Sequence, residues 1–171
     1  VDYLQFILPG IIAMSIIFSA VQSAISIVWD REFGFLKEIL VAPVPRATVV
    51  LGKALGGATT ATAQGAVVLL LAPLAKINLS PASFFLALLA MFLTALCMSS
   101  LGIVIAARLT DFESFSSLQN FITMPMFLLS GAIFPLADLP RWFHVVLLAN
   151  PLTYGVDLIR GTLLGVFSHP A

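Results

Sequence analysis

Three stretches of this chain, residues 3–29, 54–75 and 84–107, contain no Lys, Arg, Asp or Glu at all. Each is longer than the roughly 20 apolar residues a helix needs to cross the hydrocarbon of a bilayer. A run of that length has no charged face to turn toward water, so each run is predicted to be a membrane span. The bulk numbers agree: 60% of residues are hydrophobic and 9% charged, against about 25% charged in a soluble domain. Formal net charge is zero, which gives no reason to expect nucleic acid as a partner. The expected fold class is therefore all-α, a polytopic membrane helix bundle.

Taken in order, the first span covers about 3–29, with Pro9-Gly10 set to kink or start its regular part. The second, about 54–75, is preceded and entered by small residues. Gly52, Gly56, Thr60 and Gln64 recur every four positions, and Gly57, Ala61 and Gly65 repeat that spacing on the adjacent face. Small residues let helices approach closely in lipid, and Thr and Gln can bond across the contact, so helix packing is expected there. The third span is about 84–107, closed by Arg108, where a cation suits the helix dipole and the headgroups. Thr110-Asp111-Phe112-Glu113 fits a capping box with Thr110 as the cap. A fourth span is expected over about 112–134, interrupted by Pro125. Its polar Ser114, Ser116, Ser117, Gln119 and Asn120 are read as interface and helix contacts, with a water-filled path as the alternative. Beyond it, about 137–162, prolines divide an apolar run into pieces too short to span. Asn150-Pro151 reads as an N-cap followed by Pro at the first helical position. Asp157 and Arg160, three apart, are placed to pair. Two such short helices suggest a re-entrant or surface-lying hairpin.

Between the first two spans lies a charged segment, WDREFGFLKEILVAPVPR, residues 29–46. As one helix over about 30–42 it is two-faced. Phe33, Leu36, Ile39 and Leu40 share one side, and Asp30, Gly34, Lys37 and Glu38 the other, while Glu32 falls among the apolar residues. Pro43 and Pro45 end it. Such a helix can lie on the bilayer or touch something outside it; a solvated loop with an interfacial turn is the plainer alternative. With this segment inside, Arg31, Lys37, Arg46, Lys53 and Arg108 fall on the inner side, and Lys76, Arg141 and Arg160 on the outer, which favours that orientation.

The chemistry is defined as much by what is missing. No GxxxxGK[ST] loop occurs, so the chain is not expected to hydrolyse nucleotide itself. His144 and His169 lie in no metal-ligand spacing and no catalytic pair. Cys97 reads as a small packing residue. No ionisable residue falls near the centre of any span, whereas ion-coupled transporters keep carboxylates or His at mid-depth. If the chain moves something, the energy is expected to come from a partner.

Two motifs carry a resemblance. REFGFLKEILVAPVPR, residues 31–46, resembles the cytoplasmic coupling segment of type-2 ABC exporter permeases. FLLSGAIFPLADLPRWFHVVLLANPLTYGVDLIRG, residues 127–161, resembles that family's segment before the last span. The wording is most similar to the branch of drug and lipo-oligosaccharide exporters, such as daunorubicin-resistance and nodulation permeases. The resemblance implies a six-span subunit of a bacterial or archaeal cell membrane, of which this chain would be a fragment cut at both ends. It implies pairing with a second permease subunit and with cytoplasmic ABC ATPase subunits that hold the ATP and Mg2+, and an amphipathic substrate. By residue, Arg31, Glu32, Phe33, Gly34, Phe35, Leu36, Lys37 and Glu38 would form the coupling helix, with Glu32 facing the ATPase. Asn150, Pro151, Tyr154, Asp157 and Arg160 would shape the short external helices rather than bind substrate. A non-transporting membrane anchor or scaffold that docks a cytoplasmic protein is the alternative that the residues leave open.

Overall fold

The computed structural model describes residues 3–35, 38, 41, 43–75, 77, 80–132, 147 and 149–165. Six α-helices form among them: α1 Tyr3–Ser23, α2 Ile25–Glu32, α3 Arg46–Leu69, α4 Pro81–Arg108, α5 Phe112–Leu128 and α6 Pro151–Leu164, with a short 3-10 helix at Ala72–Ala75. No strand occurs among the described residues. Among the described residues, three stretches are long and apolar enough to cross a membrane: Gln5–Glu32, Arg46–Leu74 and Pro81–Arg108. The first and third are 28 residues each, or about 42 Å of helix at 1.5 Å per residue.

The expected first span is one span in two pieces. Ser23 Oγ donates to the Ala20 carbonyl at 2.7 Å, and Ala24 N and Ile27 N donate to carbonyls three residues back. That local tightening separates α1 from α2 without ending the span. α3 begins at Arg46, eight residues before the expected start of its span, because Pro45 sets its first turn. Lys53 therefore lies inside the helix, a position open to it because Asp30 neutralises it. α4 starts as its sequence suggests: Ser80 Oγ accepts from Ser83 N at 3.1 Å, with Pro81 in the first turn.

α5 ends at Leu128, short of the expected 134. Pro125 interrupts its hydrogen bonding, the Ser130 hydroxyl donates to the Phe127 carbonyl, and Gly131 turns the chain at φ 71°. Its cap is Asp111, not Thr110. The Asp111 carboxylate accepts from Ser114 N at 2.9 Å, and Thr110 Oγ1 donates to the same carboxylate at 3.3 Å. A carboxylate with two donors outcompetes a hydroxyl for that role, and Glu113 then falls in the first turn rather than closing a box. Residues 133–146 and 148, which include the expected first short external helix, lie outside the described residues.

α1, α3 and α4 pack on one another along their length. Their core is Ile12, Ile16, Ile17, Ala58, Ala61, Met91 and Met98, joined by Leu152, Val156 and Ile159 of α6. Glycines set the closest approaches. A Cβ on Gly102 would stand 3.1 Å from Val21 Cα and 3.1 Å from Ala24 Cβ. Gly155 of α6 lies against Thr94, midway along α4. α6 thus lies within the length of the bundle rather than across its end. α5 meets the bundle on one seam, Phe115, Gln119, Thr123 and Phe127, at four-residue spacing. Gln119 Nε2 donates to Gln22 Oε1 of α1 at 2.9 Å. That resolves the polar start of α5 in part: Gln119 is a helix contact, while Ser114, Ser117 and Asn120 are exposed. Cys97 is exposed on α4 beside Leu93, Ser100 and Val104, not the packing residue its apolar surroundings suggest.

Candidate functional site

Most of the described charges gather at one end of the bundle. The Asp30 carboxylate pairs with Lys53 Nζ at 2.6 Å, and the same ammonium donates to Ser26 Oγ at 3.0 Å. Arg31 reaches the end of α4: Nη1 donates to the Leu109 carbonyl at 2.6 Å and Nη2 to the Ala107 carbonyl at 3.2 Å. The last carbonyls of a helix have no partner within it and carry its negative pole, so a cation there is doubly favoured. Trp29 stacks on Phe112 with centroids 6.2 Å apart and planes at 22°. Below this girdle Ala24, Ile25, Val28, Ala54, Ile103, Ala106 and Phe115 form a second apolar cluster. Asp111, outside the apolar spans, has its carboxyl held below the ordinary value by hydrogen bonds from the Ser114 side chain and backbone.

Immediately beyond the girdle the helix stops. Phe33 N donates to the Trp29 carbonyl at 2.9 Å, Gly34 N to the Arg31 carbonyl at 3.3 Å, and Gly34 takes φ 81°. Residues 35, 38 and 41 are again helical. The single two-faced helix expected over 30–42 is therefore broken at Phe33-Gly34, with 30–32 belonging to α2. A left-handed residue at the break resets the helical phase, so a wheel drawn through it mixes two faces. This is why Glu32 did not fit. Of the eight residues expected to couple, Arg31 turns inward. Glu32, Phe33, Phe35 and Glu38 are exposed, Phe33 at 71%, and Gly34 makes the turn. Leu36 and Lys37 lie outside the described residues. The elbow presents bare aromatic and acidic side chains on a backbone fastened from behind.

The second group lies toward the far end. Asn150 caps α6, its Oδ1 accepting from Leu152 N at 3.1 Å, while its Nδ2 donates to the Met126 carbonyl of α5 at 2.7 Å. Pro151 follows in the first turn, and Gly165 closes the helix at φ 67°. Arg160 is 3% exposed; its Nη2 donates to the Gly131 carbonyl at 3.2 Å and its guanidinium stands 4.4 Å over the Phe6 ring. Burial holds the Arg160 guanidinium below its ordinary value, and the charge of Asp157, three residues before, partly offsets this. Tyr154 is exposed. These side chains tie α6 to α1 and to both sides of the turn after α5.

The third group divides. Gly57, Ala61 and Gly65 are buried, with Gly57 facing the hydroxyls of Ser23 and Ser99, which stand 3.4 Å apart. Gly52, Gly56, Thr60 and Gln64 face out of this chain: a Cβ on Gly52 or Gly56 would meet nothing within 4 Å, and Thr60 Oγ1 donates to its own Gly56 carbonyl. Within the chain, the packed stripe is thus the adjacent one. Sequence reasoning missed the Asp30–Lys53, Arg31–Leu109 and Gln22–Gln119 contacts, which join residues far apart in the chain. The one available signal was the charge of Lys53, counted only toward orientation. Among the described residues, no three His, Cys, Asp or Glu side chains assemble as metal ligands would.

The chain is similar in sequence to known membrane permeases. The chain is 29% identical over 170 residues to the inner membrane transport permease YadH of Escherichia coli K12, covering 99% of this chain and 66% of that protein. It is 30% identical over 167 residues to nodulation protein J of Rhizobium leguminosarum bv. viciae, covering 96% and 64%. It is 29% identical over 161 residues to the putative transport permease ycf38 of Cyanophora paradoxa, covering 93% and 56%. The chain thus spans between about half and two thirds of the length of these relatives. No solved structure matches it. The family model described as ABC-2 type transporter matches residues 2–164, and the chain belongs to that family of multi-pass membrane proteins.

Proposed function

We propose that this chain is the membrane-spanning portion of a permease subunit of an ATP-binding-cassette exporter. It forms part of a path for an amphipathic substrate, a drug, a lipid or a lipid-linked glycan, and performs no bond chemistry. The observation that carries this reading is the elbow at Phe33-Gly34-Phe35. Its aromatic side chains are bare, yet its backbone continues directly from a membrane span and is fastened to three other helices. An exposed apolar surface built on a rigid base suits a protein partner. The spans carry no ionisable group at mid-length, so the work is supplied by that partner: a cytoplasmic ATPase subunit that holds ATP and Mg2+. A second permease subunit completes the path. Closure of the ATPase subunits displaces the elbow and tilts the first two spans, opening the path outward.

The test uses the full-length permease co-expressed with its ATPase subunit. The two are expected to co-purify. Gly34→Pro forces φ to about −65° where 81° is required, and it is expected to weaken assembly. Glu32→Ala is expected to preserve the fold and lower the hydrolysis that assembly stimulates. A full-length permease that binds no ATPase subunit overturns the proposal and leaves the anchor or scaffold reading in its place.

A further inference from the structure

Three consecutive residues of α2 hold three different helices. Trp29 stacks on Phe112 of α5, Asp30 pairs with Lys53 of α3, and Arg31 bonds the carbonyls of Ala107 and Leu109 at the end of α4. Successive residues on a helix point about 100° apart, so one turn can address three neighbours. The Arg31 contact differs in kind from the other two. Its two donor nitrogens grip carbonyls on either side of Arg108, one in the last turn of α4 and one in the link to α5. That link is only Leu109, Thr110 and Asp111, and Asp111 in turn caps α5 through Ser114 N. The grip therefore passes from α2 through α4 into the first turn of α5. On the other side α2 is set off from α1 by the tightened turn at Ala24.

We infer that Arg31 is a positioning residue: it fastens the elbow at Phe33-Gly34 to the α4–α5 turn, so that the two move as one body. The inference rests on the elbow being the point where the ATPase acts, and it assigns a role opposite to the one its place in the motif suggests. Arg31 does not meet the partner. It delivers the partner's push to α4 and α5, which the chain connection to α1 and α3 alone does not reach. A planar guanidinium suits this task because it bridges two fixed acceptors, whereas a lysine ammonium is a single point of attachment.

The test is a pair of distances in the full-length permease bound to its ATPase subunit. Spin labels at Phe35→Cys and Thr110→Cys, both exposed positions, are placed in a Cys97→Ala background. The distance is read by pulsed electron resonance, nucleotide-free and trapped with ATP and vanadate. A second pair, Phe35→Cys with Met14→Cys on α1, reports motion of the elbow against the outer half of the first span. The 35–110 distance is expected to be narrow and the same in both states, while 35–14 shifts by up to about one helical turn, 5 Å. In Arg31→Ala, 35–110 is expected to broaden or shift between states, and Arg31→Lys to give an intermediate width. A 35–110 distance that changes between states in the unmodified protein overturns the inference, as does one unaffected by Arg31→Ala. Should Arg31→Ala fail to assemble, Arg31→Lys is read by the same criterion. An unchanged 35–14 distance counts against the coupling reading itself; the fastening is then still decided by the nucleotide-free width in the Arg31 variants.

Discussion

Adjacent glycines of α3 should behave in opposite ways. A Cβ added to Gly57 would stand 3.0 Å from Ser23 Cβ and closer still to the hydroxyls of Ser23 and Ser99. Neither hydroxyl can move away cheaply: Ser23 Oγ already donates to the Ala20 carbonyl, and Ser99 is fully buried. Overpacking of this kind costs about 1–3 kcal/mol. At Gly56 the same methyl meets nothing within 4 Å, and the gain in helix propensity is about 0.5–1 kcal/mol. That propensity gain is common to both positions, so Gly57→Ala is expected to be less stable than Gly56→Ala by the overpacking cost, about 1–3 kcal/mol. Removing the obstructing hydroxyls, in Gly57→Ala/Ser23→Ala/Ser99→Ala, should recover most of the loss, less about 0.6 kcal/mol for the forfeited interhelical hydrogen bond. The assay is unfolding of the purified protein by titration with a denaturing detergent, followed by circular dichroism. If Gly56→Ala proves the costlier change, or the serine substitutions give no recovery, the packing of α1, α3 and α4 described above is wrong.

Four further outcomes follow from particular contacts. Asn150→Ala should cost about 1–2 kcal/mol, through loss of the α6 cap and of the bond to the Met126 carbonyl. Asn150→Asp keeps the cap but not the donor, and should fall between in the same titration. Asp30 and Lys53 are about three-quarters buried at their side chains; a double-mutant cycle with Asp30→Asn and Lys53→Met should give a coupling of about 1 kcal/mol, weakening with salt. Gln119→Leu should loosen α5 by about 0.6 kcal/mol and raise labelling, by a lipid-soluble thiol reagent in a Cys97→Ala background, of a cysteine placed at Thr123, which is 1% exposed on the same seam. The Asp111 carboxyl is depressed below 3.8, so its contribution to stability is present above that pH and is lost as pH falls through the depressed value. Asp111→Asn preserves a cap and should remove that acid-side dependence, as read from unfolding midpoints between about pH 2 and 5.

What could be read from the residues in advance was the local part. Charge-free runs mark spans because burial in lipid leaves no alternative, and Asn150-Pro151 marks a helix start because cap and first-turn preferences act within four residues. What could not be read was phase and partnership. The stripes beginning at Gly52 and Gly57 have the same spacing and the same kinds of residue. On a helix apolar all round, only neighbours distant in sequence decide which stripe turns inward. At Thr110-Asp111 two cap-competent residues stand side by side, and the choice turns on a carboxylate accepting two donors. The elbow shows the same limit. A two-faced pattern drawn through Gly34 assumes a continuous helix, and Arg31 reads as part of an outward surface because its acceptors lie 76 and 78 residues away. Charged side chains at a span end invite a reading as headgroup or partner contacts; here Asp30, Arg31 and Lys53 are spent within the chain.

The proposed coupling requires the elbow to be cytoplasmic and to be where the ATPase subunit docks. In a Cys97→Ala background, Phe33→Cys is exposed to a membrane-impermeant maleimide in sealed vesicles of either orientation, with and without the ATPase subunit. Labelling should occur only where the cytoplasmic face is outward, should be blocked by bound ATPase subunit, and should reverse orientation for Ser80→Cys at the start of α4. Labelling of Phe33→Cys from the external face, or cytoplasmic labelling that bound ATPase subunit leaves untouched, contradicts it.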